Sequence, residues 1–261
     1  MTDLVNITPA PQWSESEQDK ACWPAYTPEA PITAESITAK AMVATEQAQL
    51  LKTAMANEIT GGLSNPSKMP CKSYGTPASA CIVGSKLRQI KGSVCSKCYA
   101  HKGMYAFPNV QECQAKRLRS ITDARWTGAM VKLISGQRKP DKFFRWHDSG
   151  DIQSLAHLAD IVAIAIALPD YKFWCPTRES RIVQQFMAIM PLPANLTVRV
   201  SASMIDGIAP VELTGTASAV HSTASPQAGH TACIAPSQNG ECRECRACWM
   251  RSVKVVSYHQ H

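Results

Sequence analysis

Long apolar runs are missing from this 261-residue chain: the longest, Ile161 to Leu168, is far shorter than the roughly 20 residues a bilayer span requires. The opening stretch MTDLVNITPAPQ has neither the basic nor the apolar region of a secretion signal, so a cytoplasmic protein with no membrane partner is expected. Charge is scarce at 18% and apolar residues reach 45%, which excludes a disordered polyelectrolyte and leaves enough material for a sizeable core. Internal repeats are lacking as well. An even cysteine count is also absent: there are eleven, and in a reducing compartment structural disulfides are rare. Metal or cluster ligation becomes the leading explanation for them.

What is present is unevenly spread. Residues 86–125 carry nine basic side chains against Glu112 and Asp123, whereas residues 1–40 carry six acidic against two basic. The basic band could attract phosphate, including that of a nucleic acid, although a solvated helix face is the plainer reading. Residues 1 to about 32 mix Pro, Ser, Thr and Glu without a period and read as an extended arm. The stripe Ile37, Ala41, Ala44, Ala48, Leu51 and Met55 predicts a flanking helix from Thr33 to Glu58, closed by Gly61-Gly62. Residues 1–62 are therefore set apart from a main domain, 63–261.

Residues 63–108 are rich in Pro, Gly and Cys with little periodicity, and a loop that long calls for an organiser other than a hydrophobic core. Helices are expected over 109–120 and after Asp123. Beyond them, strands at 143–146, 171–175 and 196–200 alternate with helices at about 154–168 and 180–190. Such alternation indicates βαβ crossovers and a parallel sheet, a complete or partial (β/α) barrel. After about Pro210 the pattern fades.

Polar residues fall where each strand ends, the edge at which parallel α/β folds bind ligands. His147, Asp148 and Asp151 follow the first strand, with Ser149 and Gly150 between them; Arg178 follows the second and Ser201 the third. His147 suits a general acid/base, the two aspartates suit amine or hydroxyl groups, and Arg178 suits a carboxylate or phosphate. Helix capping is the bland alternative for either aspartate, and His101 and His157 read as structural.

The run Cys233-x8-Cys242-x2-Cys245-x2-Cys248 is the most specific motif. Three cysteines at successive two-residue gaps suit a cubane, since each sulfur reaches a different iron, so a [4Fe–4S] cluster is more natural here than zinc. Arg243, Arg246 and Arg251 could offset its charge. Cys71, Cys81, Cys95 and Cys98 contain one tight pair and fit zinc about as well as a cluster. Cys22, Cys113 and Cys175 read as small buried hydrophobes.

The stretches Met69-Pro-Cys-Lys-Ser-Tyr-Gly75, Gly92-Ser-Val-Cys-Ser-Lys-Cys-Tyr-Ala100, Phe144-Arg-Trp-His-Asp-Ser-Gly-Asp151, Pro176-Thr-Arg-Glu179 and Cys242-Arg-Glu-Cys-Arg-Ala-Cys-Trp249 together resemble the phage gene-product-88 protein family. That resemblance covers about Ser64 to the C-terminus and implies a virus-encoded protein acting in a bacterial host, with no defined biochemistry. A weaker one, through Cys95-Ser-Lys-Cys98-Tyr99 and His147-Asp-Ser-Gly-Asp151, is to radical S-adenosylmethionine enzymes. It implies a cluster-dependent enzyme with room for S-adenosylmethionine, but their Cys-x3-Cys spacing is absent. The alternative from another class is a zinc- or cluster-braced protein that binds nucleic acid or a host factor.

Overall fold

The computed structural model describes residues 31–137 and 141–260. The expected N-terminal arm and its Cys22 therefore lie outside the described residues, apart from residues 31 and 32.

Where a continuous helix is expected from Thr33 to Glu58, the structure has two, α1 (Ala34–Leu50) and α2 (Thr53–Thr60). Thr33 and Ser36 form a reciprocal cap at the start of α1, and Leu51 and Lys52 are extended between the helices. The break lets each half serve a different core. Ile37, Ala41, Ala44 and Ala48 enter the main cluster, while Ala56 and Ile59 pack with Ala129 and Leu133. Leu51 and Met55, placed on the stripe by the sequence, fall off it, and Met55 is exposed.

A short strand β1 (Ser73–Tyr74) precedes α3 (Ile82–Leu87), α4 (Pro108–Ser120) and α5 (Trp126–Ser135). The alternating region then runs β2 (Phe143–Trp146), α6 (Leu155–Ala167), β3 (Lys172–Thr177), α7 (Ser180–Met187) and β4 (Leu196–Ser201), close to the predicted bounds. Beyond Pro210, where no pattern is legible, three more strands follow: β5 (Ala217–His221), β6 (Thr231–Ala232) and β7 (Val255–His259). All seven strands join one parallel sheet in the order β1-β2-β3-β4-β5-β7-β6. Among the described residues no ladder joins the outer strands β1 and β6, so the sheet is open.

The strands have two distinct faces because successive side chains alternate. Phe144, Trp146, Phe173, Cys175, Val198 and Val200 point into the main core with α1, α5, α6 and α7. On the other face Phe143 and Trp174 meet Trp249, Cys71 and Cys248. That face is covered by the C-terminal cysteine segment rather than by helices. The Trp249 indole donates to the Phe144 carbonyl at 2.8 Å, and Thr197 Oγ1 donates to the Trp249 carbonyl at 2.9 Å.

Candidate functional site

The carboxyl ends of β2 and β3 are tied together by Asp151. Its carboxylate accepts from Thr177 Oγ1 at 2.6 Å, from the Ile152 amide at 2.8 Å and from the Arg178 amide at 2.9 Å. Burial pushes its pKa up even against these donors. Glu179, to which no local pattern assigns a role, is 3% exposed and accepts from the Val83 amide at 2.9 Å, anchoring the start of α3 to the end of β3. Burial, and then the Asp151 charge, push Glu179 up to about 7.

This anchor carries cysteines with it. Cys81 stands immediately before α3, and its thiol is pushed up first by burial and then by the charges of Asp151, Cys98 and Cys95. Cys95 is also raised by burial, with the Arg178 guanidinium drawing it back down. A Cβ on Gly84 would stand 2.9 Å from Cys81 Cβ, 3.6 Å from Cys81 Sγ and 3.7 Å from Cys95 Sγ. Glycine there leaves both sulfurs facing a common space. Cys81, Cys95 and Cys98 thus share the sheet edge with Asp151, Arg178 and Glu179.

Cys71 departs from this grouping. It lies in the buried cluster with Trp174 and Trp249, against which Cys248 packs on the other face of the sheet. There the C-terminal thiols influence one another's ionisation: Cys233 with Cys245, Cys242 with both, and Cys248 with Cys233. Burial pushes Cys248 up to about 12, and its Sγ is 3.3 Å from Tyr258 Oη. The Arg145 guanidinium, stacked 4.6 Å above the Trp174 ring, offsets negative charge at Cys242 and Cys248. Of the three arginines expected to do this, Arg246 acts on Cys242.

The remaining candidates at the strand ends are locked in place. Asp148 accepts from Ser73 Oγ at 2.9 Å and Tyr105 Oη at 3.2 Å, while Tyr99 Oη donates to its carbonyl at 2.5 Å. Gly150, at φ +81°, lies so close to Thr76 that a Cβ would fall 2.0 Å from Thr76 Oγ1. The Ser149 hydroxyl is buried with no hydrogen-bond partner among the described residues, and Ser201 Oγ pairs with Ser218 Oγ at 2.8 Å. His147 is turned elsewhere. Its ring, 3% exposed, packs against Trp146 and His157, and among the described residues neither of its nitrogens has a hydrogen-bond partner. The basic band is partly structural too: Arg117 is 7% exposed and donates to the Gly61 and Gly62 carbonyls and to Ser64, and Arg125 pairs with Asp123.

The two core histidines predict a pH dependence. Burial lowers His157 to about 3 and, with the His157 and Arg145 charges, holds His147 well below its ordinary value. Between pH 6.5 and 3 the unfolded chain therefore binds protons that the native His157 refuses. Its stabilisation is complete above pH 6.5 and is lost as the pH falls, by on the order of 4 kcal/mol. Asp151 and Glu179, both raised, act with the opposite sign. Denaturant midpoints of the wild type and His157→Phe across this range isolate the histidine: the variant should lose less stability on acidification, and parallel curves would refute the assignment.

Among the described residues no three His, Cys, Asp or Glu side chains are already gathered as the ligands of a single metal ion. The donor chemistry of both thiol groups nevertheless suits a soft metal. A cubane takes each sulfur on a separate iron, so it accepts a wider spread than one zinc ion with bonds of about 2.3 Å.

No curated protein and no solved structure matches the chain. The resemblance to radical S-adenosylmethionine enzymes gains no support from these comparisons. Among the described residues no helix is long and apolar enough to cross a membrane. The gene product 88 family model matches residues 36–251, most of the chain, and the protein belongs to that family.

Proposed function

We propose that this is an iron–sulfur protein with its reactive edge at the carboxyl end of an open (β/α) sheet, acting in the cytoplasm of a bacterial host. The observation that carries this reading is the convergence of Cys81 and Cys95 across Gly84, with Cys98 beside them and Asp151, Arg178 and Glu179 around them. Three thiols can hold three irons of a [4Fe–4S] cluster, leaving one iron for a non-protein ligand; S-adenosylmethionine is a cofactor that such an opening suits. Bound there, the cluster would supply one-electron chemistry. The protein's own part is to place the Arg178 cation against Cys95, to fix the strand ends through Asp151 and to bury the edge. Cys233, Cys242, Cys245 and Cys248 provide four thiols for a second, closed site on the other face.

Anaerobic purification with absorption spectra and iron and sulfide analysis tests this. A brown protein containing both elements is expected, and a colourless zinc protein would overturn it.

A second reading, a metal-braced nucleic-acid or host-factor binding protein, rests on exposed Tyr99 and Phe107 interleaved with exposed Lys86, Lys91, Lys97 and Lys102. On that reading, Lys97→Ala and Lys102→Ala each reduce the salt slope of single-stranded DNA binding by about 0.7. An unchanged slope counts against it. Arg117 is unsuited to the test because its guanidinium is committed to the loop at Gly61–Ser64.

A further inference from the structure

Beside the Cys95 edge, at the carboxyl ends of β3 and β4, lies a cleft of about 290 Å³. Its polar wall includes Arg178, Ser201 and Ser203, and its apolar wall includes Val200, Met204 and Ile208. Among the described residues Arg178 is the only charged one lining it, and no carboxylate lines it. The volume is at the small end of the range for ligand pockets.

The apolar rim is firmly held. The Ile205 amide donates to the Gly92 carbonyl at 3.0 Å and the Asp206 amide to the Val220 carbonyl at 2.8 Å. Ser222 bonds the Asp206 carboxylate through both its amide (2.9 Å) and its hydroxyl (2.6 Å), and Asp206 adopts φ +58°. A Cβ on Gly207 would come within 2.9 Å of the Met204 carbonyl, so glycine is what permits this turn. The outcome of all this anchoring is an isoleucine, Ile208, left 90% exposed at the mouth of the cleft, with Met204 38% exposed beside it. A wall ordered at such length and then left bare suits an apolar ligand body, and the lone guanidinium lining the same cleft suits an anionic head.

We infer that the cleft binds a small molecule with a carboxylate or phosphate head on Arg178 and an apolar body against Met204 and Ile208. This deepens the reading above by giving the ligand class of the same edge. The Arg178 guanidinium, which also meets Cys95 and donates to the Ala202 carbonyl, would hold the head next to the thiol group.

Calorimetric titration of the full chain with phenyl phosphate, benzoate and neutral benzyl alcohol tests the inference. Millimolar binding of at least one anion is expected, about tenfold tighter than benzyl alcohol, with the preferred anion separating a phosphate from a carboxylate head. Arg178→Gln should abolish the preference for the anion. Ile208→Asp, a change on an exposed side chain that leaves packing intact, should weaken binding several-fold by placing a carboxylate and removing the apolar rim. Lys116→Gln, on α4, should change nothing. Equal affinity for charged and neutral probes, no binding of either anion, or anion binding indifferent to both cleft substitutions would overturn it. Absorption of the same samples reports the cluster separately, so a coloured protein that binds no anion refutes only the cleft, and a colourless one that binds refutes only the cluster.

Discussion

Serine in place of Cys95 is expected to remove the iron and sulfide of the sheet-edge group while leaving those of the C-terminal group in place. The hydroxyl is a hard donor where soft iron–sulfur chemistry wants a thiolate, and Cys95 faces the same space as Cys81 across Gly84. Cys81→Ser and Cys98→Ser should reproduce the loss. Cys242→Ser should do the reverse, sparing the edge. The contrast follows from the separate surroundings of the two groups: Cys81 answers to Asp151, Cys98, Cys95 and Glu179, whereas Cys242 answers to Cys233, Arg145 and Cys245. Cys71→Ser separates sequence proximity from spatial proximity. It sits ten residues before Cys81 in the chain yet packs with Trp174 and Trp249, so its loss should leave the edge group's spectrum intact. Iron and sulfide per chain, with the absorption spectrum of each variant purified anaerobically, give the readout. Loss of both groups in Cys95→Ser, or of neither, would refute two independent sites.

The difference between chain neighbours and spatial neighbours also marks how far the sequence could be read. β2, β3 and β4 were legible because each carries a run of large apolar side chains bounded by a helix of clear period, and both faces of these strands are covered. β5 and β7 were not. Ala217-Ser-Ala-Val-His221 and Val255-Val-Ser-Tyr-His259 are short, rich in small and polar residues, and joined by a cysteine-rich connection without a helical period. The strand-end position of Asp151 and Arg178 could be read from strand periodicity. The inward turn of His147 could not, because a positive φ of 56° at that residue redirects its ring toward His157. Glu179 was hidden for another reason: its worth lies in accepting from the Val83 amide across 96 positions of sequence, a relation no local pattern encodes.

Arg199→Met is expected to cost about 3 kcal/mol or more and to loosen the C-terminal cysteine segment specifically. Arg199 is fully buried in β4, and its guanidinium donates to the carbonyls of Ala217, Ala247, Cys248, Met250, Val253 and Lys254 at 2.8–3.3 Å. The stretch 247–254 has no helix or strand except one short turn of 3-10 helix at Ala247–Trp249. The Ala247, Met250 and Lys254 carbonyls also accept the amides of Met250, Val253 and Ala217, so the guanidinium adds a second donor there and ties the whole irregular stretch to β4. Methionine is of similar size but takes away all six of these bonds, and with them the donors that join 247–254 to β4. Arg199→Lys keeps the charge but loses the planar fork, so it should recover only part of the loss. Burial holds the Arg199 pKa below its usual value, while the neighbouring Tyr258 and Cys248 favour the cation. Denaturant midpoints give the total cost, and tryptic cleavage at Arg243, Arg246 and Arg251 locates it. Faster cleavage there, with the helices α5 and α6 still protected, is the expected pattern, because those helices pack on the opposite face of the sheet. Unchanged cleavage in Arg199→Met would mean that Trp249, through its bonds to Phe144 and Thr197, holds the cysteine segment without the arginine.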